Sequence, residues 1–264
     1  MPLRVTLREA LAAADRPLFG MWLNSASPLV AEICAGSGLD WVLIDAEHGP
    51  NDVPTVLAQL QAVAAYPVTA LVRLPVGDTA LIKQFLDLGA QNLLIPMVDT
   101  AEQAAELVRA VRYPPRGVRG VGSSLARAAR WNRVDGYLAD ADAHVSLTVQ
   151  IESATAVANV EQIVAVDGVD GIFVGPADLA ASMGLLGRQG HPDVVAAVER
   201  CLAAARAAGK GAGVNAFVPE AVEGYVAAGA GLVCVGADVS LLARGSEALA
   251  ARFIGDGGPE RAGY

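Results

Sequence analysis

The amino-acid sequence predicts an α/β fold of one domain, a (β/α)8 barrel, and three observations carry that expectation. Short runs rich in Val, Ile and Leu recur along the chain, each followed by a turn and an amphipathic, alanine-rich segment, the pattern of a βα repeat. Eight such runs are present. A length of 264 residues is what one barrel of this kind uses, and it is enough to bury a large core without cross-links.

The predicted strands are, in order, 19–24 (FGMWLN), 41–46 (WVLIDA), 68–74 (VTALVRL), 92–97 (NLLIPM), 145–152 (VSLTVQIE), 169–175 (VDGIFVG), 213–217 (GVNAF) and 232–236 (LVCVG). They are apolar on both faces rather than alternating, as a parallel sheet needs when it lies between a filled interior and an outer layer of helices. An open doubly wound sheet is the alternative, and its first strand would normally run into a glycine-rich turn. Here that turn is Asn24-Ser25-Ala26-Ser27-Pro28, so the closed barrel is preferred. Two connections exceed the usual length. Residues 113–135 (YPPRGVRGVGSSLARAARWNRVD) hold two prolines, several glycines and five arginines, and residues 182–192, after the sixth strand, are also glycine-rich. Both are expected either to border the mouth of the barrel or to bind a neighbouring subunit. The barrel is expected to fill residues 1–254, with 255–264 (GDGGPERAGY) as a surface tail.

Composition excludes several classes. Apolar residues make up 53% of the chain and charged residues 18%, which excludes a disordered protein. A net charge of −9 argues against nucleic acid as a partner, because phosphate binding needs clustered Lys and Arg. Cys34, Cys201 and Cys234 lack metal-ligand spacing and fall inside apolar patterns, so they are expected to be reduced core residues. The first thirty residues contain Arg4, Arg8, Glu9, Asp15 and Arg16 in a helical pattern, without the uninterrupted apolar stretch of a signal peptide. No later stretch reaches ~18 apolar residues without Gly or charge. The expected location is the cytoplasm, with no membrane partner.

Barrel enzymes carry their chemistry at the C-terminal ends of strands and in the loops that follow. The ionisable residues at those places are few. The second strand leads into Asp45, Glu47 and His48; the third ends at Arg73; the fifth ends with Gln150 and Glu152; the sixth runs into Asp178. Each also has a structural reading. Asp178 fits a helix cap or first-turn acid, and capping is the preferred account of Asp99 and Asp238. Glu152 closes an apolar strand, where a carboxylate must meet a metal, a cation or water. Arg73 in "TALVRLP" needs an anion, either a substrate or one of the same carboxylates. Among the histidines, only His48 follows the C-terminal end of a strand, and it is the candidate base. His144 precedes a strand and His191 fits a helix cap.

The lysines separate two ways of making a carbanion beside a carbonyl. Imine chemistry needs an amine inside the site, but this chain has only Lys83, within a helix, and Lys210, ahead of the seventh strand. A Lewis acid held by carboxylates is the remaining route.

The runs "WVLIDAEHGPND", "LIKQFLDLGAQNLLIPMVDTAEQA", "RYPPRGVRGVGSSLARAARWNR", "VQIES" and "VDGIFVGPADLAASMG" resemble the HpcH/HpaI family of class II pyruvate aldolases, and the resemblance extends over nearly the whole chain. It implies a (β/α)8 barrel that reversibly cleaves 4-hydroxy-2-oxoacids to pyruvate and an aldehyde. The substrate it points to is 4-hydroxy-2-oxoheptanedioate, giving succinate semialdehyde in the breakdown of aromatic compounds. By the same resemblance Glu152 and Asp178 hold a divalent cation (Mg2+, Mn2+ or Co2+), His48 is the base, and Arg73 stabilises enolate charge. Asp87 supports the histidine, and Gln150, the Ala177 backbone and Asp178 contact substrate. The residues alone present Asp87 as a helix-surface acid. The family forms hexamers with sites at subunit contacts, so a homohexamer is implied. Asn215 departs from the family's usual aliphatic residue, which leaves a sugar-acid aldolase of the 2-dehydro-3-deoxyglucarate type as the alternative. An enolpyruvate phosphotransferase would need a phosphate cradle, and an anion-binding barrel without catalysis would have no use for a base beside a metal.

Overall fold

A computed structural model describes residues 3–254. Eight parallel strands close into a barrel in sequence order: β1 Leu18–Leu23, β2 Trp41–Asp45, β3 Thr69–Arg73, β4 Asn92–Ile95, β5 Ser146–Ile151, β6 Gly171–Val174, β7 Gly211–Asn215 and β8 Leu232–Ala237. This is the predicted (β/α)8 barrel. Each strand differs from its predicted bounds by a residue or two at one or both ends, and two of these shifts have a local reason. β4 stops at Ile95 because Pro96 has no N–H to give a ladder, and Met97 turns with φ 55. β7 starts earlier than predicted, at Gly211. Gly211 and Ala212 carry no β-branched side chain to signal a strand, yet glycines permit the close pairing of Gly171 with Gly211; a Cβ on Gly171 would stand 3.0 Å from the Gly211 carbonyl oxygen.

Alternation along each strand divides the apolar residues into two cores. One set packs outward against the helices, among them Val42, Ile44, Val72, Val149 and Val214. The other plugs the barrel: Trp22, Trp41, Leu43, Leu71, Leu94, Phe173 and Cys234, joined by Leu7 from the N-terminal helix Leu7–Ala13. Bulk and absence of bulk are matched here. A Cβ on Gly20 would meet the Trp41 ring at 2.1 Å, and one on Gly213 would meet Phe173 at 2.6 Å. The rings pack edge to face, Trp22 on Phe173 at 5.9 Å and Trp41 on Phe173 at 6.4 Å, a preferred aromatic geometry. The three cysteines are buried and free.

The connections set the two ends of the barrel apart. Residues 113–135 follow helix Ala101–Val111 and lead to β5, and such helices return antiparallel to the strands. The arginine-rich segment therefore lies at the end opposite the mouth, which corrects the first of its two expected positions. There Tyr113, Ala128, Ala129, Tyr137 and Ala141 form a small separate core. The glycine-rich 182–192 segment instead joins helix Pro176–Ser182 to helix Pro192–Ala207, and its Gln189 and Gly190 line a cleft with Ala177 and Asn215 at the mouth. Among the described residues, no helix is long and apolar enough to cross a membrane. The predicted tail, 255–264, lies outside the described residues.

Candidate active site

Arg73 and Asp45 end adjacent strands and are register partners. The guanidinium donates from Nε to Oδ1 and from Nη2 to Oδ2 of Asp45, both at 2.8 Å, the bidentate fork that suits these groups. Both side chains are buried, Asp45 fully. Burial pushes the Asp45 carboxyl up, but the hydrogen bonds and charge of Arg73 and the Glu47 and His48 N–H groups outweigh it, and the net shift is downward. Asn24 Nδ2 donates a further bond to Asp45 at 2.6 Å. Glu47 Oε2 stands 2.8 Å from Arg73 Nη1 but receives no aligned hydrogen bond. Below the guanidinium lies the Trp22 ring, with its centroid 4.1 Å from Cζ. The structural reading of Arg73, a salt bridge to a neighbouring carboxylate, is thus met by Asp45, a residue that the sequence placed at the site without a role.

Glu152 follows β5 and is 3% exposed. It accepts from the Met97 backbone N–H at 2.7 Å and from Gln150 Nε2. Burial pushes its carboxyl up to about 7; the Met97 and Gln150 bonds oppose this, whereas Glu47 and Asp178 add to it by like-charge repulsion. Glu47 is also shifted upward, first by burial and then by Asp45 and Asp178, against the pull of Arg73 and His48. Glu152, Glu47 and Asp178 are thus near enough to repel one another. Asp178 sits in the first turn of helix Pro176–Ser182, capped by Gly175 rather than by the aspartate itself. A Cβ on Gly175 would stand 3.0 Å from Glu152 Oε2 and 3.1 Å from Gln150 Nε2, so its absence keeps the space beside the carboxylate open. The Gln150 Oε1 atom is buried without a hydrogen-bond partner.

Among the described residues no group of three or more His, Cys, Asp or Glu has metal-holding geometry. The donor set nevertheless suits a hard divalent cation. Two carboxylates supply oxygen, repulsion among three acids favours a cation between them, and the bare Gly175 leaves room.

His48 lies in the loop after β2 with its side chain 66% exposed, Nε2 4.0 Å from Glu47 Oε2. Asp87 is not brought to it. Helix Thr79–Asp87 runs away from the mouth, and Asp87 accepts from Arg119 Nη2 at 3.1 Å. Within one chain, Asp87 and His48 lie at opposite ends of the barrel. Lys83 lies on that same helix, and Lys210 borders the opposite end ahead of β7, so neither amine reaches the mouth. His144 stacks on Tyr137 away from the site, and His191 caps helix Pro192–Ala207, both as expected. Asp238 heads the last helix and also accepts from the Asn24 and Ser25 N–H groups at 2.8 and 3.1 Å. Asp99 is displaced from its expected capping role, because Thr100 caps helix Ala101–Val111 with Gln103; Asp99 instead accepts from Ser153 Oγ.

Sequence reasoning missed Trp22 and the contact between Glu47 and Arg73. No sequence signal distinguishes an aromatic residue of the plug from one that floors a site. Glu47 was visible as an acid in a polar turn, but its approach to Arg73 depends on the β2–β3 register.

Comparison with known proteins agrees with this fold. The model of the HpcH/HpaI aldolase/citrate lyase family matches residues 18–245. A hydroxypyruvate/pyruvate aldolase of Deinococcus radiodurans is 58% identical over 252 residues, 96% of this chain and 91% of that protein. A 4-hydroxy-2-oxo-heptane-1,7-dioate aldolase of Klebsiella pneumoniae is 54% identical over 246 residues, 93% of this chain and 92% of that protein. The crystal structure of an HpcH/HpaI aldolase/citrate lyase family protein from Burkholderia cenocepacia superposes with a TM-score of 0.89 at 44% identity, covering 93% of this chain and 98% of that one. Fold and relatives together define a carbon–carbon lyase on a (β/α)8 barrel. The chain belongs to the HpcH/HpaI aldolase/citrate lyase family, and it is an aldolase.

Proposed function

We propose that this aldolase is divalent-metal-dependent and cleaves 4-hydroxy-2-oxoacids reversibly to pyruvate and an aldehyde. The observation that carries the reading is the buried Glu152, pushed up to about 7 among other acids at the barrel end where Arg73 is fixed. Glu152 and Asp178 would hold Mg2+, Mn2+ or Co2+. When bound, the cation supplies Lewis-acid polarisation of the 2-oxo group. Arg73 keeps hydrogens that Asp45 does not take and places positive charge where the keto oxygen gains negative charge, a preorganised contribution. His48, exposed at the rim, exchanges a proton with the 4-hydroxyl, directly or through water. Gln150 holds Glu152, and Ala177 borders the mouth cleft.

The reading of Asp87 as support for His48 needs a second subunit, since one chain separates them. A homohexamer with sites at subunit contacts would supply that arrangement. In keeping with an assembly, the last helix, Asp238–Ile254, buries only Asp238 and exposes Leu241, Leu242, Leu249 and Phe253, large apolar side chains of the kind that a subunit contact covers. We assign the enzyme to the cytoplasm and to the catabolism of aromatic compounds.

4-Hydroxy-2-oxoheptanedioate, yielding succinate semialdehyde, is the first substrate to test, following the Klebsiella relative's name. A specific observation favours a second reading. Asn215 places an amide on the mouth cleft, where a hydroxylated reactant would find a partner, and the Deinococcus relative is named for hydroxypyruvate as well as pyruvate. Pyruvate or hydroxypyruvate release from a panel of 4-hydroxy-2-oxoacids, sugar acids included, with and without chelator, tests both. Full activity in chelator would reject the metal reading.

A further inference from the structure

β1, β3 and β7 place Trp22, Arg73 and Asn215 in one chain of contacts across the barrel. The register between β1 and β8 shifts between Gly20 and Trp22, and such bulges re-aim a side chain. The Trp22 indole fits against Phe173 on one side and lies beneath the Arg73 guanidinium at 4.1 Å on another. Its Nε1–H donates to Asn215 Oδ1 at 2.9 Å. Asp45 and Glu47 hold the guanidinium laterally, but neither lies on its Trp22 face. The indole is 6% exposed, and its N–H also approaches the Cys234 thiol, a weak acceptor; without Asn215 this buried donor would lose its oxygen partner, a loss costly enough to tilt the ring.

We propose that Asn215 is a positioning residue for Arg73, acting through Trp22. By accepting the indole N–H, Asn215 fixes the plane of the ring, and the ring face holds the guanidinium at the height where it meets the reacting oxygen. An aliphatic residue at this position has no acceptor to offer. The inference rests on the aldolase reading for the role of Arg73, and it assigns Asn215 to the pyruvate half of the reaction. The competing role follows from the same side chain: the Asn215 Nδ2 group makes no hydrogen bond among the described residues and opens on the cleft that Ala177 and Gln189 line, from which it would touch the aldehyde directly.

The two roles separate in the exchange of pyruvate C3 protons with deuterated water, measured with Mn2+ and no aldehyde, because this half-reaction needs Arg73 but no acceptor. Asn215→Leu should lower the maximal exchange rate about tenfold, the scale of losing a well-placed cation–π contact. In fluorine NMR of protein labelled with 5-fluorotryptophan, the chain gives one signal for each of its three tryptophans, and the Trp22 signal is identified by its loss in Trp22→Phe. That signal should move in Asn215→Leu. Asn215→Asp keeps the acceptor and loses the amide donor, so it should restore the Trp22 signal and most of the exchange rate. Wild-type exchange and an unmoved Trp22 signal in Asn215→Leu would overturn the proposal. So would unaltered exchange with a change only in KM for the aldehyde, which would assign Asn215 to the acceptor. A wild-type chain that neither exchanges pyruvate nor cleaves any oxoacid would remove the aldolase chemistry proposed above, and this role with it.

Discussion

Asp45 and Arg73 meet as register partners at the ends of β2 and β3, joined by two hydrogen bonds of 2.8 Å. The pair is buried, and breaking such a pair from one side strands a charge. Asp45→Asn should therefore destabilise the fold by about 3–5 kcal/mol, read from denaturant unfolding at neutral pH. The acid limb of the stability profile should change too. The carboxyl of Asp45 is held below its ordinary value of 3.8, so its contribution is complete above that value and disappears as pH falls through the lower folded-state one. Asp45→Asn should flatten the stability curve there; an unchanged slope would show that other acids set it.

Glu152→Gln and Asp178→Ala should each abolish turnover. Loss of a buried carboxylate does not require loss of the fold, because an uncompensated charge is costly inside a protein; the melting temperature of metal-free Glu152→Gln should equal or exceed that of the wild type. Titration calorimetry with Mn2+ checks the ligand assignment. Wild-type affinity in both variants would refute it.

For Arg73→Lys, the prediction is a fall in kcat of about a hundredfold or more, the scale seen when one preorganised charge-stabilising donor is removed. A lysine keeps the charge but neither the bidentate bond to Asp45 nor the flat contact with Trp22. Metal affinity should change far less than kcat. Equal losses in both would mean that Arg73 organises the cation site rather than the reacting oxygen.

Asp87 and His48 offer a test of assembly. If one subunit's Asp87 serves another's His48, then His48→Ala and Asp87→Asn homo-oligomers should both be weakly active. Co-expressed as mixed oligomers, they should regain activity through sites that combine the two intact residues. Mixed oligomers no more active than their parents would confine Asp87 to its bond with Arg119.

The fold was legible because eight apolar runs separated by helical segments leave little choice but a parallel closed sheet, and the position of each run relative to its loop identified the reactive end. Glu152, Arg73 and His48 became candidates by that rule alone. Asp87 became one only through the family resemblance, since a carboxylate on a returning helix looks like any surface acid. Trp22 and the Asp45–Arg73 pairing stayed hidden for another reason. Which inward residues touch depends on register and on where glycine withholds bulk, as Gly20 does for Trp41, and neither can be read from hydrophobic periodicity. The arginine-rich segment was misplaced in part because length and polarity say that a loop is special without saying at which end it lies.

The aromatic plug has a consequence for what this scaffold can become. With Trp41, Phe173 and Trp22 filling the bore, a molecule seated at the mouth rests on a solid floor and can extend only outward, toward 182–192 and the turn after β7. Those outer segments belong to connections, where sequence can change without disturbing the interior fit. Reaction type and reactant length are thereby separated, the first set by the floor and strand ends, the second by replaceable walls, and new acceptors can be gained without re-engineering the barrel.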